Sequence, residues 1–484
     1  MTRLTRIATD QVYRDHPYAR EILTRLEQAG FEAVLIGGVV RDGLQAELQR
    51  DVKFPPHDID IATAAVPSEI RQIFRDWAMV GVGEEFGVLV MTAPDGQTYE
   101  IASFRVESEY DGRWPGKVDL VRDLETDIRR RDLTINGLAA TVDGDVIDFV
   151  DGTRDLVDKR VTTIGDPATR FGEDHLRMMR VVRFTCRIDG QIADATARAV
   201  RDHADAILAI SPERIGSELL RILETSRSAR GIELLDSLGL LAHILPEVTH
   251  CHNVAQPEEY HPEGDVFVHT IEAMRVADRF VVDPIVKLAV LVHDIGKPIA
   301  LERNEGRNMG GHCAIGSRMT RDIGRRLRLS KLQSQRVGDL VRNHMRIADF
   351  PKMGRGKQIR FLSDGESPDV ELLAGRYPLF YDLLQVLVAD CEASAHRSSG
   401  WAPILSETID VIDHMQQVCN VQRARELIDG HDLADLGLAP GPQLGRILHH
   451  VHDRILAGHI VTREDAILLA KDLIDRDALH LNEN

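Results

Sequence analysis

The chain has 484 residues, which at roughly 150 residues per domain gives about three domains. Hydrophobic residues make up 43% and charged residues 28%, the balance of a soluble globular protein, and no run of about 18 apolar residues offers a membrane-spanning helix. Lys plus Arg is 59 and Asp plus Glu is 77, so the net charge of −18 disfavours a polyanion held by the whole surface but leaves room for local basic patches.

Tyr18 to Ala29 predicts an amphipathic helix, and Phe31 to Ile36 a short strand running into Gly37-Gly38. Asp58-Ile-Asp-Ile-Ala reads as strand-like after Pro55-Pro56. Val80 to Thr92 and Thr98 to Arg105 form an expected strand pair around Pro94-Asp95-Gly96, and Val146 to Val150 is a further strand. From Arg170 the pattern is helical almost to the end. These shifts place a head at 1–165, a helical neck at 166–250, a second helical body at 251–400 and a helical tail at 401–484. Gly354-Arg-Gly356 and Asp364 to Pro368 read as surface loops, and the Gly and Pro residues of 430–445 as turns between helices. Basic residues cluster at Arg129 to Arg131, at Arg170, Arg177, Arg180, Arg183 and Arg187, and between Arg318 and Lys331. Cys186, Cys251, Cys313, Cys391 and Cys419 contain no CxxC pair and fit free thiols in a reducing compartment. Met1 to Asp10 has no apolar export segment, so a cytoplasmic location is expected.

Two glycines after a strand let a backbone approach a phosphate closely. Gly37 and Gly38 are followed by Arg41-Asp42, and about 20 residues later by Asp58 and Asp60. At i and i+2 in a strand both carboxylates share one face. Two such acids repel unless a cation lies between them, and hard oxygen ligands suit Mg²⁺. Such a pair can hold two metals for in-line attack on phosphorus. Glu100, on the next expected strand, is a candidate third acid. Further on, Asp174 and Arg177 are i, i+3 on an expected helix and so share a face. A carboxylate accepts from an exocyclic amino group and a guanidinium donates to a ring nitrogen, the pattern of cytosine and adenine but not of guanine or uracil.

The ordered motifs GGVVRD (37–42), DIDIAT (58–63), FRVESEYDGRWPGKV (104–118), RRRDLTINGLA (129–139), RFGEDHLRMMRVVRF (170–184) and SPERIGSELLRIL (211–223) resemble the class II nucleotidyltransferases, the family of CCA-adding enzymes and bacterial poly(A) polymerases. The resemblance implies an α+β chain: a polymerase-beta-like head with a mixed sheet, then an all-helical neck, body and tail. It implies that Asp58 and Asp60 are catalytic and bind Mg²⁺. It places Gly37, Gly38, Arg41, Arg131, Asp132 and Asn136 on the nucleotide, and gives base selection to Asp174 and Arg177, with Arg180 and Arg183 nucleotide-binding beside them. CTP, ATP and tRNA are the expected partners, and no membrane. The stretch Leu44 to Pro56 is longer than the family pattern. The acidic run Val80 to Leu89 and a flexible loop expected at Glu107 to Lys117 favour CCA addition over poly(A) addition.

In the second body, His293-Asp294 within HDxGK joins His269, His312, His344 and Asp390. Imidazoles and carboxylates together suit a divalent transition metal. The set resembles the HD-domain phosphohydrolases. That resemblance gives His269, His293, Asp294 and Asp390 a first metal and His312 and His344 a second, with Lys297 neutralising charge and His261 a pocket residue. The alternatives are a poly(A) polymerase, a chain that is mainly an HD phosphohydrolase with a nucleotide-sensing head, and a non-catalytic RNA-binding module.

Overall fold

In the computed structural model the described residues are 6–49, 59–81, 83, 86–111, 114–258, 261–262, 264–363, 378–394, 400–418 and 426–481. Two compact units form, Met1–Pro246 and Glu247–Asn484. Asp58 and residues 50–56 lie outside the described residues, as do Glu84, Glu85, Asp364 to Pro368 and Cys419.

The first unit opens with helices Thr9–Asp15 and Pro17–Gln28, the second started by a proline at its first turn. The strands of its main sheet are β1 (Ala33–Ile36), β2 (Asp60–Thr63), β3 (Ala78–Val80), β4 (Val88–Thr92) and β5 (Thr98–Ser103). A separate hairpin holds β6 (Arg105–Asp111) and β7 (Trp114–Leu120), and β8 (Leu138–Ala140) and β9 (Val146–Asp148) return to the main sheet. The order in that sheet is β3-β4-β5-β2-β1-β8-β9. Only β2 and β5 pair in parallel, so the sheet is mixed, as expected.

Every residue of β1 is buried, which explains its unbroken apolar run. One face of the sheet (Val34, Ile36, Ala62, Phe104, Ala139) packs on Leu124 and Ile128 of helix Leu124–Arg129. Burial of each such side chain stabilises by about 1.5–3 kcal/mol.

Two expectations fail here. The strand expected over 80–92 is broken, because Gly87 takes φ +78° and a Cβ there would come 2.8 Å from Leu120 Cδ2. The loop expected at Glu107 to Lys117 falls in the antiparallel hairpin, where Glu107 pairs with Val118 and Ser108 with Lys117. Part of the extra stretch, Leu44 to Gln49, simply continues helix Gly38–Gln49.

After β9 the unit turns helical: Pro167–Glu173, Arg177–Arg187, Pro212–Leu223 and Ser228–Ser237 are its main pieces. The second unit has no strand among its described residues. Its centre is helix Pro284–Val292, buried from Ile285 onward, capped by Asp283 and started by Pro284. Around it lie Val266–Ala277, His312–Arg326, Lys331–Asn343 and Pro378–Ala393. The loop expected at Gly354 to Gly356 is instead the start of helix Arg355–Ser363. Gly356 is needed there for contact, since a Cβ would lie 2.2 Å from the Asp453 carbonyl oxygen of helix Pro442–Leu456. The tail turns are present: Asp429 caps helix Gly430–Asp435 and Gly441-Pro442 starts the next. No helix among the described residues is long and apolar enough to cross a membrane.

Candidate functional sites

In the first unit β1 ends at Gly37, whose φ of +73° turns the chain into helix Gly38–Gln49. A Cβ on Gly37 would lie 3.9 Å from Asp60 Oδ2 and 3.8 Å from Arg131 Nη1, so a side chain there would wedge between carboxylate and guanidinium. Asp60 begins β2, exposed, and stands beside Glu100 in the parallel register. Parallel neighbours point to one face, so two hard oxygen donors share that strand edge. These donors fit a Mg²⁺-type ion.

Behind this edge a cavity of about 740 Å³ is lined by Gly37, Gly38, Arg41, Asp60, Arg131, Asp132, Asn136, Asp174, Arg177, Arg180 and Arg183. The cavity thus gathers the described nucleotide-site residues singled out from the sequence, while Glu100 stands beside Asp60 on the sheet and is not among its lining. It adds Asp42, Phe184, Arg187, Arg214, Glu218 and Arg221, which the motif reading had not ranked.

A continuous chain of contacts fixes the wall. Arg187 Nη2 and Arg41 Nη2 hold the two oxygens of Asp42 at 2.7 and 2.8 Å. Arg41 Nη1 donates to Asn136 Oδ1 at 2.6 Å, Asn136 donates to Asp132 at 3.2 Å, and Arg180 Nε donates to Asp132 at 2.6 Å. The guanidinium carbons of Arg41, Arg180 and Arg183 stand 4.8, 5.3 and 4.5 Å from the Phe184 ring, which takes cations on its π-face.

Burial alone would raise the Asp132 carboxyl, but the charge and hydrogen bond of Arg180 outweigh it and hold the group at about 2. Burial pushes the arginines the other way. Arg41 and Arg131 are lowered by desolvation, and so is Arg183, to about 10, against the opposing pull of the Glu218 charge. Crowded, desolvated cations are relieved by an anion.

The base-reading pair is placed differently from the helical expectation. Asp174 ends helix Pro167–Glu173 in an extended conformation, and Arg177 opens the next helix, its N–H donating to the Asp174 carbonyl at 3.0 Å. The break arises because the Asp174 carboxylate accepts from the Leu176 N–H at 3.1 Å, a local bond that competes with helix continuation. Both residues still line the cavity. Arg214 grips Asp174 with two nitrogens, at 3.1 and 2.6 Å, and Arg177 pairs with Glu173. The bidentate geometry fixes the carboxylate plane. Its only sequence signal was the SPERIG motif.

In the second unit His269 lies on helix Val266–Ala277, His293 caps helix Pro284–Val292, and Asp390 lies on Pro378–Ala393. They converge. His269 Nε2 is 3.0 Å from Asp390 Oδ1, and His293 Nε2 is 3.2 Å from Asp294 Oδ2. His312 and His344 join from the other side, their Nε2 atoms 3.3 Å apart.

Three rings are oriented alike: His293, His312 and His344 each direct Nδ1 at a backbone carbonyl, of Val290, Met309 and Val341, at 2.7, 3.0 and 2.8 Å. A carbonyl only accepts, so Nδ1 carries a proton, and Nε2 is the ring nitrogen turned toward the cluster. Buried His293 Nε2 has no hydrogen-bond partner among the described residues. Burial lowers the His344 ring to about 4, keeping it neutral. Such a donor set fits divalent metal. Gly296 of the HDxGK motif lets helix His312–Arg326 approach, since a Cβ there would lie 2.2 Å from the His312 carbonyl oxygen. Lys297 Nζ sits 2.5 Å from Asp294 and 2.6 Å from Gln256 Oε1. The ring of His261 stands edge-on to that of His269, their centroids 4.7 Å apart.

A mixed sheet bears an acidic strand edge over an arginine-rich cavity in the first unit, and the second unit holds a cluster of imidazoles and carboxylates. Residues 33–162 match the poly A polymerase head domain, 191–251 the probable RNA- and SrmB-binding site of polymerase A, 266–372 the HD domain and 390–470 the tRNA nucleotidyltransferase domain 2. Each match covers part of the chain, and together they set poly A polymerase and tRNA nucleotidyltransferase domains beside an HD domain. The chain is 43% identical over 223 residues to a CCA-adding enzyme of Levilactobacillus brevis, covering 46% of this chain and 54% of that protein. A CCA-adding enzyme of Lacticaseibacillus paracasei is 40% identical over 235 residues, 48% of this chain and 56% of that protein. The chain thus spans about half the length of these curated relatives. In fold it is similar to the Bacillus stearothermophilus CCA-adding enzyme in complex with CTP (TM-score 0.63, 22% identity, 97% of this chain and 99% of that one). It is also similar to the Thermotoga maritima enzyme complexed with tRNA_CCA (TM-score 0.55, 17% identity, 94% and 95%).

Proposed function

We propose that the chain is a cytoplasmic tRNA nucleotidyltransferase that adds CCA to a tRNA 3′ end from CTP and ATP, without a nucleic-acid template. The observation that carries this reading is the joining, in one cavity, of the Asp60 strand edge with the Asp174–Arg177 junction. Asp58 and Asp60 would hold Mg²⁺, which supplies charge neutralisation at the reacting phosphate. The 3′-hydroxyl oxygen bonds to the α-phosphorus of the nucleotide, the bond to pyrophosphate breaks, and the hydroxyl proton is lost.

The side chains of the cavity have separate tasks. The turn at Gly37-Gly38 and the arginines at 41, 131, 180 and 183 bind the triphosphate, whose charge the buried guanidiniums need. Asn136 and Asp132 hold Arg41 and Arg180 in place. Asp174, clamped by Arg214, accepts from the exocyclic amine of cytosine or adenine, and Arg177 donates to the ring nitrogen. A site built on such bonds rejects analogues by roughly 10⁴-fold or more. The acidic run Val80 to Leu89 and the stretch Glu107 to Lys117 favour CCA addition over poly(A) addition. In the second unit His269, His293, Asp294 and Asp390 would hold a divalent transition metal of an HD phosphohydrolase centre.

The test uses tRNA lacking its last three nucleotides, Mg²⁺ and labelled nucleotides, with products read at single-nucleotide resolution. Two C residues and one A, then arrest, are expected. Long A tails would reassign the chain as a poly(A) polymerase. No incorporation would leave the HD domain as the main activity.

A further inference from the structure

Cys313 is absent from the metal-ligand pattern by which the HD cluster was read, yet it belongs to the cluster. It follows His312 at the start of helix His312–Arg326, and its Sγ lies 3.4 Å from His312 Nε2. The Cys313 thiol and the imidazoles of His312 and His344 present their ligand atoms within 4.8 Å of one another, as a group separate from His269, His293 and Asp294.

Asp294 faces both groups. Its Oδ2 is 3.2 Å from His293 Nε2 and 3.9 Å from His269 Nε2, while its Oδ1 is 3.4 Å from His312 Nε2 and 3.8 Å from His344 Nε2. One oxygen turns to each group, the arrangement of a bridging carboxylate.

The spacings have a metric meaning. Around a tetrahedral Zn²⁺ with bonds of about 2.0 Å to nitrogen and 2.3 Å to sulfur, neighbouring ligand atoms stand about 3.3 Å apart for two nitrogens and about 3.5 Å for nitrogen and sulfur. The 3.3 Å between the imidazoles and the 3.4 Å from thiol to imidazole match this.

We propose that the HD cluster is a dinuclear centre of unequal halves, in which Cys313 is a thiolate ligand of the second ion, with His312, His344 and Asp294 Oδ1. The first half offers only nitrogen and oxygen. The second offers sulfur, and thiolate selects Zn²⁺ and other borderline ions over Mg²⁺ or Mn²⁺. The proposal rests on the reading of the HD cluster as a divalent metal site.

The full chain, stripped of metal and titrated with Co²⁺, tests it. Wild type is expected to bind two ions, the second with a thiolate-to-cobalt charge-transfer band in the near ultraviolet. Cys313→Ser should lose the band and hold the second ion at least about tenfold more weakly, since loss of even an outer partner costs that much. His269→Ala should keep the band. Two bound ions with no band, or a band that survives in Cys313→Ser, would overturn the sulfur assignment while leaving the HD reading standing. No cobalt bound at all would remove both. X-ray absorption of the zinc-loaded wild type is the second measurement, independent of how the variants fold. A sulfur scatterer at about 2.3 Å is expected, and a shell of nitrogen and oxygen alone would refute the proposal.

Discussion

The cavity of the first unit is walled by guanidiniums: among its described lining residues nine arginines face six carboxylates. The cluster of the second unit is walled by imidazoles and carboxylates. The two units have thus solved opposite problems. The first keeps more buried positive charge than its own acids neutralise, so it is prepared for a polyanion. The second turns ring nitrogens and carboxylate oxygens inward, so it is prepared for a cation. The supports differ to match. Side chains hold side chains in the first, along the path Arg187, Asp42, Arg41, Asn136, Asp132, Arg180. Backbone carbonyls hold the imidazoles in the second. A metal site demands fixed directions, which backbone carbonyls supply.

If this division is right, each site can be removed without the other. Asp60→Ala is expected to give the largest effect, a loss of nucleotide addition of about 10³-fold or more, the scale of removing a group that stabilises transition-state charge. Metal content of the HD cluster should stay as in wild type. Addition at the wild-type rate would end the head mechanism. The reciprocal variant, Asp294→Asn, should empty the HD cluster of metal and reduce phosphate-ester hydrolysis by about 10²-fold or more, with nucleotide addition retained. Loss of addition in that variant would break the comparison.

Selectivity sharpens it further. Arg177→Ala should relax discrimination against UTP and GTP by about 10²-fold in a competition assay, a part of what a hydrogen-bonding site supplies. Arg214→Ala frees the Asp174 carboxylate without removing it, so roughly a tenfold relaxation is expected. Unchanged base ratios in both variants would dismiss the Asp174–Arg177 junction as the template.

What the sequence revealed and what it concealed follow from range. Gly37-Gly38, the Asp60 strand and the HDxGK turn are local, and strand period or helix ending places them directly. The mixed sheet was expected only through the family resemblance, because strand order is set by tertiary pairing and not by local period. The Asp174–Arg177 pair was found but misplaced, because the carboxylate bond to Leu176 N–H that ends the helix is not encoded in helical spacing. Arg214, forty residues from Asp174, and Cys313, beside a residue 32 positions from its other imidazole, depend on tertiary folding. No periodicity announces such contacts. Gly356 misled for a related reason: it reads as a loop residue, but its use is contact with the Asp453 backbone.

The smallest effect tests whether the arginine pocket holds its own acids as described. Asp132 is buried, with its carboxyl at about 2 against an ordinary 3.8. Burial opposes that shift, so the stabilisation comes from Arg180, Asn136 and Arg177. A carboxyl depressed in the folded state contributes stability that is present above the unfolded value and is lost as pH falls through the folded value. The window is therefore about pH 4 down to about pH 2, and the contribution about 2 kcal/mol. Denaturant unfolding of wild type and Asp132→Asn at a series of pH values measures it. The stability gap between them should be about 2 kcal/mol wider at pH 7 than at pH 2. Asp127, also held low by Arg131 and Arg130, leaves a remaining acid slope in both proteins. A gap that does not change with pH would mean that Asp132 is not the anion that anchors Arg180. The arginines of the pocket would then have to be fixed by something other than their own acids.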